Sequence, residues 1–188
     1  MDIIFDEVTS QVLTELEKTQ KEFWNVPRKT GVLLNTFVKM MNAQSVLEIG
    51  TSNGYSGIWI AKALQETGGK LTTIEFYESR QSVAIENFKK CGVYSHIRPV
   101  LGSACDAIMD FADEEKFDFV FIDANKREYK EYFKLVRPHL TDKAMIVADN
   151  IISHADKVQP FIDAIDADKE FQYTILEVPG GILTAYRG

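Results

Sequence analysis

Four apolar runs in this chain end in an acid: Val46-Leu47-Glu48, Leu71-Thr72-Thr73-Ile74-Glu75, Phe117 to Asp123, and Ala144 to Asp149. A carboxylate directly after a buried strand is ill placed for packing and well placed for a site beyond the strand's carboxyl end. Glu75 follows a glycine-punctuated turn by about 20 residues, where an acid can accept hydrogen bonds from both hydroxyls of a ribose. Asp123 and Asp149 end runs that would pair as neighbouring strands, which sets their backbones about 5 Å apart. Two carboxylates at that spacing repel unless a cation lies between them or one takes a proton. Asn150 adds a neutral oxygen, and the all-oxygen set suits a hard divalent ion such as Mg²⁺ or Ca²⁺. Lys126 stands three residues after Asp123 at the start of a predicted helix, where a cation opposes the helix dipole. A solvated surface lysine is one reading; a lysine that accepts a proton beside a metal is the other.

The turn that precedes these acids is Glu48-Ile49-Gly50-Thr51-Ser52-Asn53-Gly54-Tyr55-Ser56. Gly50 and Gly54 stand where a chain must turn sharply and let a ligand approach the backbone. The spacing is neither the G-x-G-x-x-G dinucleotide fingerprint nor a phosphate loop, because Tyr55 falls where the latter needs Lys. A nucleoside ligand without phosphate fits better, and an ordinary strand-to-helix turn would look the same on this stretch alone.

Strands and helices alternate around these residues. Apolar positions from Val8 to Trp24 predict one helix and those from about Lys29 to Met41 a second, with Asn25-Val26-Pro27 as the break. Strands are expected at Ser45 to Ile49, Leu71 to Glu75, Ile97 to Leu101, Phe117 to Asp123 and Ala144 to Ala148, each followed by a helix. The helix after Glu75 is expected to be capped by Ser79, and the one from Lys126 to run to Val136. Two last strands, near Phe171 to Val178 and Leu183 to Arg187, join at Pro179-Gly180-Gly181. The pattern predicts one α/β domain over 1–188 with a doubly wound, mostly parallel seven-stranded sheet and an antiparallel C-terminal hairpin. Residues 1–43 would form a lid or an interface, and 44–188 the core.

The chain has 188 residues, 45% hydrophobic and 26% charged, which is enough for one well-buried domain. A formal charge of 21 − 28 = −7 without a basic block argues against nucleic acid as a partner. Cys91 and Cys105 make no disulfide framework, and the start lacks the basic and apolar segments of a secretory leader. No run reaches the roughly 18 apolar residues of a membrane span. A cytoplasmic protein is expected.

The set Glu48-Ile49-Gly50 to Gly54-Tyr55-Ser56, Asp123-Ala124-Asn125-Lys126 with Tyr129, and Asp149-Asn150 resembles the cation-dependent, S-adenosylmethionine-dependent O-methyltransferases of the catechol and caffeoyl-CoA type, from about Val26 onward. The resemblance implies a Rossmann-like class I methyltransferase fold. It implies that Glu48, Gly50, Thr51 and Ser56, with Val26, hold the methionine end of the cofactor, that Asp123 also binds the cofactor, that Glu75 binds the ribose, and that Ala104 lies against the adenine. Asp123, Asp149 and Asn150 would ligate the metal, Mg²⁺ first and Ca²⁺ or Mn²⁺ as further candidates, and Lys126 would be the general base. The implied acceptor is a small hydroxylated, catechol-like molecule; a hydroxylated transfer-RNA nucleoside and an inactive cofactor binder are the alternatives. A homodimer is also implied. Asn125 stands where relatives often have Asp or Trp, so the resemblance implies no particular contact there, and Ala104-Cys105 replace more polar residues of the catechol enzymes, which leaves adenine recognition to the backbone. The short segment from Ile151 to Asp156 implies an open acceptor pocket; His154 is either a contact to the acceptor or, the commoner outcome, a surface histidine.

Overall fold

The computed structural model describes residue 3 and residues 5–188. Asp6 opens helix α1 (Glu7–Lys18) by accepting from the Thr9 amide at 2.9 Å, which satisfies one of the helix's free amino-terminal N–H groups. The expected single helix from Val8 to Trp24 is broken at Thr19. Thr19 closes α1 and opens the one-turn α2 (Gln20–Phe23), and Trp24 ends it in a left-handed conformation with φ 56°. After Pro27 comes α3 (Arg28–Met40). The core then runs β1 (Ser45–Ile49), α4 (Tyr55–Thr67), β2 (Lys70–Glu75), α5 (Glu78–Lys90), β3 (Ile97–Leu101), α6 (Ala104–Met109), β4 (Phe117–Ile122), α7 (Tyr129–Val136), β5 (Leu140–Ala148), α8 (Ala155–Ala167), β6 (Gln172–Leu176) and β7 (Ile182–Arg187).

Two further local expectations change. Tyr77, not Ser79, opens α5, because its amide is taken by the Glu75 carboxylate at 2.9 Å and the chain bends into the helix at once. Residues Lys126–Glu128 form a 3₁₀ turn that precedes α7, so Lys126 sits on a tight turn outside the α-helix proper.

The seven strands lie in the order β3-β2-β1-β4-β5-β7-β6. The first five are parallel, and the C-terminal hairpin adds β7 antiparallel to β5 with β6 at the edge. Val46 and Leu47 are both fully buried yet belong to different clusters, since successive side chains of a strand point to opposite faces. One face packs Leu13, Leu34, Trp59 and Phe88 from α1, α3, α4 and α5. The other packs Ile108, Phe133 and Phe161 from α6, α7 and α8. The order reverses between β1 and β4, which places the switch point of the sheet at the ends of those two strands.

Candidate active site

A cavity of about 730 Å³ opens at the carboxyl ends of the parallel strands, over the switch point. Its wall comprises residues 23–26 before α3, the turn 49–53, residues 74–77 after β2, 102–104 before α6, and 123–126 after β4, with Asn150 and His154 beyond β5.

Glycine is required at Gly50 for two reasons. Its φ is +106°, and a Cβ there would lie 2.2 Å from the Asp123 carbonyl oxygen of the adjoining strand. Gly54 opens α4 at φ +87°, where a Cβ would lie 2.7 Å from the Phe88 ring. Behind the turn Glu48 is 0% exposed, and its two oxygens accept from Ser56 Oγ at 2.5 Å and Thr73 Oγ1 at 2.6 Å. Thr73 has one hydroxyl proton, so while it donates to Glu48 it accepts from Thr51 Oγ1 at 2.5 Å. Burial outweighs these hydroxyl donors and pushes the Glu48 carboxyl up to about 7. Glu48 does not line the cavity; Ser56 and Thr51, which its network holds, do.

Glu75 faces the cavity with its carboxylate already oriented. One oxygen accepts from the Tyr77 amide at 2.9 Å and the other from the Ser52 amide at 2.8 Å. Ser52 also donates from Oγ to the Phe23 carbonyl at 2.7 Å, which ties the segment carrying Trp24 and Val26 across the turn. Trp24 projects outward, 70% exposed, with the Arg80 guanidinium 4.5 Å from its ring centroid. Tyr55 Oη donates to Glu17 at 2.8 Å, and Arg28 pairs with the same carboxylate, so α1 and α3 are latched to α4. Sequence reasoning missed Ser52, Trp24, Tyr77 and Arg80. Ser52 alone had a signal, its place inside the turn.

On the other side of the switch point Lys126 Nζ lies 2.6 Å from Asp123 Oδ1. The local gain that the helix dipole denies to Lys126 comes from this ion pair. Asp149 is 2% exposed, and among the described residues its Oδ1 has no hydrogen-bond partner. Burial first and the Asp123 charge second push the Asp149 carboxyl up to about 7. Asp123 is also raised by burial, against the pull of Lys126. Asn150 follows in a left-handed conformation, φ 64°, that places it on the cavity wall. Under the pair, the buried Tyr129 hydroxyl lies 3.3 Å from the Ile122 carbonyl and 3.2 Å from the Asp149 carbonyl and donates between them. It thereby clamps the ends of β4 and β5 that carry both acids.

An unpartnered buried carboxylate oxygen beside a second carboxylate is what a divalent cation satisfies, so these residues fit such an ion. Among the described residues no three His, Cys, Asp or Glu side chains gather in a metal-binding group, so the ion would rest on Asp123, Asp149 and the Asn150 amide oxygen. Of the residues singled out from sequence, Val26, Gly50, Thr51, Ser56, Glu75, Ala104, Asp123, Lys126 and Asn150 line this one cavity. Glu48 and Asp149 stand behind its wall.

A doubly wound sheet with an acid-rimmed cavity at its switch point defines a nucleoside-cofactor protein of the Rossmann-like class. The sequence model of the O-methyltransferase family matches residues 5–180, and the chain belongs to that family. A catechol O-methyltransferase of Niastella koreensis is 35% identical over 130 residues, a stretch that covers 68% of this chain and 58% of that protein. The matched stretch is thus less than two thirds of the relative's length. The structure of an O-methyltransferase from Bacillus cereus in complex with SAH superposes with a TM-score of 0.87 at 26% identity, covering 99% of this chain and 93% of that one. That of the O-methyltransferase TomG of Streptomyces achromogenes, in complex with SAM, gives 0.85 at 27% identity, covering 98% and 91%. No described helix is long and apolar enough to cross a membrane.

Proposed function

We propose that this chain transfers a methyl group from S-adenosylmethionine to a hydroxyl of a small, catechol-like acceptor with the help of a divalent cation. The observation that carries the reading is the buried, unpartnered Asp149 Oδ1 beside Asp123, in the same site as the oriented Glu75 carboxylate. Family membership and the SAM and SAH complexes of two structural relatives support the cofactor.

In this reading Val26, Gly50, Thr51 and Ser56 surround the methionine end, and Glu48 acts through Ser56. Asp123 offers a carboxylate to the cofactor's amine, Glu75 accepts from the ribose hydroxyls, and Ala104 lies against the base. Asp123, Asp149 and Asn150 hold the cation. When bound, the cofactor supplies an electrophilic methyl group on a sulfonium, and the cation lowers the acceptor hydroxyl's pKa from about 10 and orients it. With Asp123 engaged by the cation, Lys126 Nζ on the cavity wall would no longer be paired as an ammonium and, in its neutral form, would receive the hydroxyl proton. Attack is direct, with no covalent enzyme intermediate. Residues 23–26, at the end of α2 and before α3, form a wall of the site, and the N-terminal helices are where we place a homodimer contact.

Calorimetry with S-adenosylhomocysteine tests the cofactor, and a radiolabelled-methyl assay with Mg²⁺ against catechol and against unmodified transfer RNA tests the acceptor. Turnover of catechol should vanish with a chelator and with Asp149→Ala; undiminished turnover under either condition refutes the cation's role. Labelling of transfer RNA alone would replace the acceptor.

A further inference from the structure

On the proposed cofactor reading, the adenine end of the cavity has few side-chain acceptors where α6 begins. Ala104 offers a methyl group, Cys105 after it does not line the cavity, and Ser103 Oγ is turned toward the Asp106 amide as the helix cap. Opposite them, Glu128 and Tyr132 line the same cavity. The Glu128 charge is near enough to α6 to act with burial in raising the Cys105 thiol.

The Glu128 carboxylate is held in place although the residue is exposed. Tyr132 Oη donates to one oxygen at 2.5 Å, and Asn125 Nδ2 donates to the other at 3.0 Å. Asn125 is itself held, because its Oδ1 accepts from the Arg127 amide at 3.3 Å. An ionised carboxylate has about four acceptor positions, so two donors leave it able to take more. Among the described residues no basic side chain is paired with Glu128, and it lines the same cavity as Ala104.

We propose that Glu128 reads the purine base of the cofactor by accepting an N–H of adenine's 6-amino group, with Tyr132 and Asn125 as the residues that position it. The selectivity follows from the chemistry. A carboxylate accepts hydrogen bonds only, so it favours a base carrying an amino group at that position and repels one carrying a carbonyl oxygen there. The inference rests on the S-adenosylmethionine reading and adds to it the group that distinguishes adenine from a 6-oxo purine.

The test is calorimetric titration of the whole protein with S-adenosylhomocysteine and with S-inosylhomocysteine, for the wild type, Glu128→Gln and Tyr132→Phe. A charge-assisted hydrogen bond at an exposed position corresponds to about a tenfold preference for the adenosyl form in the wild type. Glu128→Gln, whose amide can also donate to a carbonyl, should bring that preference close to one. Tyr132→Phe should keep it in part, with a loss of about threefold in adenosyl affinity. A merely structural role for Glu128 would weaken both ligands alike and leave their ratio unchanged. An unchanged ratio in Glu128→Gln overturns the inference while leaving the cofactor reading intact; failure of the wild type to bind S-adenosylhomocysteine overturns both.

Discussion

Replacing Glu48 with Gln should make the protein more stable at alkaline pH and change little at acid pH. Glu48 is completely buried, and its folded-state pKa is about 7 against an ordinary value of 4.5. Its contribution to folding is fully present below 4.5, where both states are protonated, and is lost as pH rises through 7, where the folded state must carry a buried charge. At about 1.4 kcal/mol per pH unit, the gap between those two values costs the wild type about 3 kcal/mol at pH 8.5. The Gln amide keeps the shape and can meet Ser56 and Thr73 once their hydroxyls rotate, so most of that cost should disappear in the variant. Urea unfolding of both proteins without ligands at pH 5 and pH 8.5 measures it. The variant's stability relative to wild type should rise by about 2–3 kcal/mol between those two pH values. A difference that does not change with pH, or a variant less stable than wild type at pH 8.5, refutes the account of Glu48 as a buried carboxyl that folds best protonated.

Tyr129→Phe removes the hydroxyl that bridges the Ile122 and Asp149 carbonyls while keeping the buried ring. Mn²⁺ affinity followed by electron paramagnetic resonance should fall by about tenfold, with S-adenosylhomocysteine affinity unchanged. Ser52→Ala unties the Phe23 carbonyl but leaves the backbone donor to Glu75, so S-adenosylhomocysteine affinity should fall by about fivefold in calorimetry, with a melting-temperature change of no more than about 3 °C. Gly50→Ala sets a Cβ 2.2 Å from the Asp123 carbonyl at a φ of +106° and should cost about 3 kcal/mol or more in urea unfolding. A loss under about 1 kcal/mol would show that β1 and β4 separate easily at the switch point.

The strands were legible because their runs are short, apolar and closed by acids or glycines, and the structure keeps β1 and β3 where the pattern puts them. The first helix was misread because apolar spacing carries over Thr19 unbroken, while the break depends on the Thr19 cap and on Trp24 adopting φ 56°, neither of which a hydrophobic pattern encodes. Ser79 looked like a cap by residue type. What opens α5 instead is the Glu75 carboxylate reaching the Tyr77 amide, a contact made possible only by the bend after β2. Asp149 was singled out as an acid at a strand end, but nothing in the chain's order indicated that one of its oxygens would be buried without a partner.

By itself the sequence determined the alternation of strands and helices, the glycine turn, and the acids that close the strands, because these follow from local spacing and from what backbone turns tolerate. The resemblance carried by those residues led to the family. Only the tertiary structure decided which of them share a cavity. The order β1 next to β4 brings Gly50 against Asp123, the pairing of β4 with β5 sets Asp149 behind Asp123, and Ser52 fastens residues 23–26 over the turn. It also decided protonation, as with Glu48, because burial and hydrogen-bond partners, which set a carboxyl's charge, come from chain segments far apart in sequence.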